Sequence, residues 1–289
     1  MLGIFLSLLI NTNLYAERQD VQLRWKIPSE GYLAYKTSTS QLDPNEKFFE
    51  FDKSQIFKNG ELPEEAKRKL QSLKLPSQAN LTSILTPTKE GNISVKIIVG
   101  KIDFSNNGEQ PDEVKDLFKK MEGTVQIRGE ISEQGEITSF YLEQKQKNMI
   151  AMLFELPKRK VKEGDTWSLD VNLLMMGAGF IAKSADRVNK VTLKTLSPDK
   201  SNNMIAELEY LIAESVEGVF LNPMSGEEIS TEMSMSFVGT GHFNVTEGRF
   251  EKMIGRLGIK SSGIMASENQ QELSLEYLKS VPSCMLKLR

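Results

Sequence analysis

Few residues in this chain have the types and spacing that chemistry needs. There is one histidine, His242, and one cysteine, Cys284. That count excludes the common His/Cys metal sites and leaves no strong nucleophile–base set of the Ser-His-Asp or Cys-His kind. The acidic pairs Glu64-Glu65, Asp112-Glu113 and Glu227-Glu228 read as helix starts or loops. None stands out as a general acid facing a general base. Asp199-Lys200-Ser201-Asn202-Asn203 opens like a calcium loop, but Met204 stands where glycine is needed and Tyr210 where the glutamate ligand belongs. Gly177-Ala178-Gly179 is a lone glycine pair that neither leads into a helix nor opens a βαβ unit, so it does not read as a nucleotide loop. Lys158-Arg159-Lys160-Val161-Lys162 is the densest basic run, and Glu163 and Asp165 dilute it at once into a solvated turn. No catalytic residue, metal ligand or cofactor is implied.

The suggestive chemistry is apolar. Residues 173–182 include Met175, Met176 and Phe180, carry two glycines and lack alternation. Farther on, Met233, Met235, Phe237, Gly239, Gly241, Phe243 and Val245 share one phase of a strand, while His242 lies on the other phase. Methionine-rich surface is soft and adapts to variable apolar ligands. Met175, Met176, Phe180, Met233, Met235, Phe237 and Phe243 are therefore the candidate binding residues for a hydrophobic ligand. Ordinary core, with a strand buried on both faces, is the competing reading of the same residues.

The elements that must position these residues are mostly strands. The sequence predicts a strand over residues 21–27 and a hairpin around Glu90-Gly91-Asn92, with Ile93, Val95 and Ile97 alternating with polar neighbours. Val125, Ile127 and Ile131 alternate in the same way ahead of a turn at Gly135. After residue 157 nearly everything reads as strand: arms at 188–196 and 204–213, a long strand at 230–246, a return at 250–262 and a last strand at 273–277. The turns at 131–137 and 245–250 echo one another, each an acidic glycine turn between long strands. Three segments have helical period: 63–75, 111–121 and 144–156. In the last, Ile150, Leu153 and Phe154 form one stripe beside Met149 and Met152. Strands joined by short turns pair antiparallel, and their dry face needs cover. The expectation is an α+β protein: a curved, half-barrel-like antiparallel sheet, in two β-rich halves (17–156 and 157–289), with about three covering helices.

Residues 2–10 are an apolar run followed by Ala16, too short for a membrane anchor and the length of a signal-peptide core. Cleavage after Ala16 would leave an exported domain over 17–289. The lone cysteine fits the periplasm or surface of a bacterium, where a large domain does without disulfides. The chain balances 36 Lys and Arg against 39 Asp and Glu, for a net charge of −3. That is not the footprint of a nucleic-acid binder.

The segment Pro157…Val161…Gly164-Asp165-Thr166-Trp167 resembles the P-x-x-x-V-x-x-G-D-x-W stretch of an uncharacterised family of exported bacterial β-rich proteins, in which it opens the second half. The order of elements is also similar to that of periplasmic lipoprotein carriers, whose half-closed barrel holds an apolar cavity under a helical lid. The expected function is thus non-enzymatic: an envelope protein that binds a lipid or other hydrophobic ligand. The alternative is a structural or protein-interaction module of the envelope with no ligand.

Overall fold

The structure is a computed structural model, and it describes residues 20–41, 79–100, 116, 119–140, 144–174, 180–221, 226–263 and 267–286. The strands are β1 (Leu33–Gln41), β2 (Ala79–Pro87), β3 (Ile93–Val99), β4 (Val125–Ile131), β5 (Ile137–Phe140), β6 (Thr166–Trp167), β7 (Phe180–Pro198), β8 (Met204–Leu221), β9 (Glu228–Asn244), β10 (Arg249–Ser261) and β11 (Ser267–Leu278). All eleven form one antiparallel sheet, in the order β5-β4-β3-β2-β1-β11-β10-β9-β8-β7-β6. Among the described residues, two helices with defined bounds accompany them, α1 (Gln144–Phe154) and the short α2 (Ser283–Leu286). The first half of the chain supplies one flank of the sheet, the second half supplies the other, and they meet where β1 pairs with β11.

This corrects the α+β expectation: the protein is mostly β, with one open sheet rather than a sheet under three helices. Of the three helical segments, 63–75 lies outside the described residues. Only Asp116 and residues 119–121 of the second are described, and they are helical. The third is α1, and its stripe of Ile150, Leu153 and Phe154 is buried as the period requires. Among the described residues, extended chain does the rest of the covering. Residues 21–27 do not join the sheet as a strand, because their one ladder contact is the isolated bridge from Val21 to Val161. They cross the inner face instead, burying Val21, Leu23 and Trp25 at every second position. The chain between α1 and β7 buries Leu156, Val161, Leu169, Val171 and Leu173 on the same face.

The sheet curls without closing, and two hydrogen bonds show how tightly. Trp25 donates its backbone N–H to the Glu133 carbonyl in the β4–β5 turn, at 2.8 Å. Lys26 donates its own to Gly248 in the β9–β10 turn, at 2.9 Å. Those turns lie six strand positions apart, about 29 Å in a flat sheet. Consecutive amides of one chain hold them within about 10 Å. The two echoing glycine turns therefore have one job, gripping the segment that plugs this end. Gly135 has a φ of 79°, and a Cβ there would lie 1.8 Å from the Phe154 carbonyl oxygen. Only glycine allows both that backbone angle and that approach.

Trp25 is the centre of the plug. Its indole lies 5.6–5.8 Å from the rings of Tyr35, Phe154, Phe243 and Phe250. Its Nε1 donates to the Phe154 carbonyl, one of the α1 C-terminal acceptors that have no partner within the helix. The surrounding core draws on β1–β4 and β7–β11.

Candidate functional site

The inner face has a filled half and an emerging half. The filled half lies beside the turns at 132–136 and 245–248, under Trp25, α1 and the following chain. Toward the opposite end the same side-chain stripe comes out from under this cover on three neighbouring strands. Along β9, Phe237 is buried and Met235 and Met233 are half-buried. Along β10, Met253 is fully buried, Leu257 half-buried and Ile259 37% exposed. Along β11, Leu275 is buried and Leu273 half-buried. The register sets Leu257 beside Phe237 and Ile259 beside Met235, so the emerging side chains form one ledge.

The residues expected to bind ligand divide between these halves. Met233 and Met235 lie on the ledge. Phe180 starts β7 at the same end and is half-buried, opposite Phe220. Phe243 is core: its ring meets Phe250 at 5.0 Å and Trp25 at 5.8 Å. Phe237 is core as well, for a reason invisible in one strand. Its ring packs against Gly255 of the neighbouring strand, where an added Cβ would come within 2.6 Å of its Cε2. Tyr210 closes on its other side with a 5.9 Å ring contact. Met175 and Met176 lie outside the described residues. Leu257, Ile259 and Leu273 belong to the ledge and were not singled out from the sequence. The alternation of Met253, Gly255, Leu257 and Ile259 is the signal that finds the first two.

Polar side chains hold the chain that runs from β6 toward the ledge end. The segment after β6 continues antiparallel to β7, but side chains replace the backbone ladder. Asn189 accepts from the Leu169 amide and donates to its carbonyl. Arg187 donates to the Val171 carbonyl. Glu214 accepts from the amides of Leu173 and Leu174 through one oxygen. From α1, Asn148 brackets Asn172 in the same double fashion. Glu155 takes the Asp170 amide, and burial pushes its carboxyl above the ordinary range.

The other chemical candidates resolve into structure. His242 sits half-buried on the outer face, opposite Glu207 and Lys252. Asp199 accepts from the amides of Ser201 and Asn203, and these bonds hold its carboxyl below the usual range. In the basic run, Lys158 pairs with Glu136 and Arg159 with Asp165. Gly164 and Asp165 exchange backbone hydrogen bonds with Leu193, fastening the turn to β7. Among the described residues, no three His, Cys, Asp or Glu side chains are placed to hold a metal ion. A separate cleft of about 340 Å³ lies on the outer face between the sheet and α2, lined by Tyr32, Ile84, Lys96 and Met285 among others.

Comparison with protein-family models, curated proteins and solved structures finds no match to this chain. The likeness of the segment at Pro157 to a family therefore stands on those residues alone. In the structure their roles are a turn, a fastening and a half-buried ring at Trp167.

Proposed function

We propose that this chain is an exported, non-enzymatic protein of a bacterial envelope that holds a lipid or other hydrophobic molecule on the ledge. One observation carries the reading: the apolar stripe passes from fully buried to half-exposed on three adjacent strands at one end of a concave face. A sheet needing only a core would end its apolar positions where its cover ends. Methionine at two ledge positions suits chains of varied shape. Localisation in the periplasm or at the cell surface rests on the N-terminal apolar run, Ala16 and the lone cysteine.

The test is native mass spectrometry of residues 17–289 purified from a bacterial periplasm without detergent. A lipid-sized mass that is lost on denaturation is expected. It should be missing in Met235→Glu, provided that variant melts like the parent. A bare protein that also fails to take up diphenylhexatriene would overturn the reading.

A second reading, an envelope interaction module without ligand, is supported by β7. Residues 181–187 are exposed, and Ile181 is 50% accessible on the sheet flank. A bulge at Lys183, together with Asp186 and Arg187, interrupts that flank in the manner of edges protected from pairing. The ligand reading is therefore preferred.

A further inference from the structure

Below the ledge the inner face contains a polar patch with nothing to bond to. Thr37 Oγ1 and Ser83 Oγ have no hydrogen-bond partner, and the two residues are 3% and 0% exposed. They lie on adjacent strands, since Ser83 is opposite Tyr35 and Thr37 is two residues farther along β1. The Tyr35 phenol, also buried, turns away from them toward the Phe250 backbone. Buried hydroxyls are nearly always bonded, so two neighbours without partners mark a place where a polar group is missing.

We propose that Thr37 and Ser83 receive the uncharged, hydrogen-bonding head of the apolar molecule held by the ledge. The inference rests on the hydrophobic-ligand reading and names the ligand class. Three features support it. The first is continuity: Thr39 and Leu273, both half-buried and paired across the strands, connect Thr37 with Leu257 and Ile259 on the same face. The second is reach. Ile259 lies six residues along β10 from Met253, which shares a row with Leu275 and Thr37, a span of about 20 Å. A long acyl chain covers that distance with its head at the hydroxyls and its tail on the ledge. The third is charge. Thr37, Thr39, Leu81, Ser83, Leu273 and Leu275 present no ionisable group, and Arg249, over the Tyr277 ring, is paired with Glu247 and Glu251. A charged head would be desolvated there without compensation. Hydroxyls both give and accept hydrogen bonds, which suits a glycerol ester or an alcohol.

The experiment uses the delipidated chain and three probes: diphenylhexatriene, 1-monooleoylglycerol and oleate. Monooleoylglycerol is expected to displace diphenylhexatriene and to bind at least about tenfold tighter than oleate. Thr37→Val with Ser83→Ala removes two neutral hydrogen bonds, so monooleoylglycerol affinity should fall about tenfold while diphenylhexatriene affinity stays within about twofold. Should the double variant not fold, the single variants are read in the same way. Unchanged monooleoylglycerol affinity, as when the hydroxyls hold only internal water, overturns the inference and leaves the ligand reading standing. Oleate binding as tightly as monooleoylglycerol does the same. Absence of diphenylhexatriene binding to the parent chain overturns both.

Discussion

Replacing Trp25 tests the claim that one indole ties the two flanks of the sheet together. The side chain is 2% exposed, touches four aromatic rings and bonds the Phe154 carbonyl at 2.7 Å. Truncating a buried aromatic to alanine costs about 3–5 kcal/mol. Orphaning a buried carbonyl adds about 1–3 kcal/mol. Trp25→Ala should therefore lose about 4–8 kcal/mol, much of the ~5–15 kcal/mol by which domains are stable. Trp25→Phe keeps most of the ring and loses the donor, so about 2–3 kcal/mol is expected. The assay is urea unfolding followed by far-ultraviolet circular dichroism and by Trp167 fluorescence, since that indole alone remains at the opposite flank. The two signals should shift together if the sheet unfolds as one unit. A loss below about 1 kcal/mol for Trp25→Ala would refute the reasoning, because the plug would then not hold the curl.

Two further outcomes follow from the same geometry. Gly135→Ala must move a Cβ away from the Phe154 carbonyl and also strain a φ of 79°, whereas Gly91 has a φ of 88° with open space around it. Thermal melts should show Gly91→Ala costing about 1 kcal/mol and Gly135→Ala clearly more, and equal losses would contradict the close packing of that turn on α1. For His242, burial first and then Lys252 lower the imidazole pKa, with Glu207 opposing. The unfolded chain takes up the proton first, so this contribution to stability is intact above about pH 6.5 and is lost as pH falls from there toward the lower folded value. Urea midpoints at pH 7.5 and 5.5 should drop less for His242→Gln than for the parent chain, and an identical drop would remove His242 as the source.

Much of the fold was legible because strand alternation is a local property. The alternation of Ile93, Val95 and Ile97 predicts one buried face, and they are 4%, 0% and 1% exposed. The α1 stripe, the glycine turns and the phase of Met233 to Val245 were legible for the same reason: each depends on neighbours within one element. The error lay in assigning the cover to helices. An extended segment such as Val21, Leu23 and Trp25 has the same period whether it pairs in a sheet or crosses one, and periodicity cannot separate the two.

The candidate site was half legible. Phase placed Phe237 and Phe243 with Met233 and Met235, yet burial separates them. Phe237 is hidden by Gly255 and Tyr210 on other strands, and Phe243 by Trp25 from the far end of the sequence. The sequence by itself determined the strands, their turns and which side chains share a face, since those follow from backbone sterics and a period of two. Only the tertiary structure decided how far the sheet curls, where the cover stops and which hydroxyls are left unbonded. Each of these depends on contacts between residues more than a hundred positions apart, such as Trp25 with Glu133 and Lys26 with Gly248.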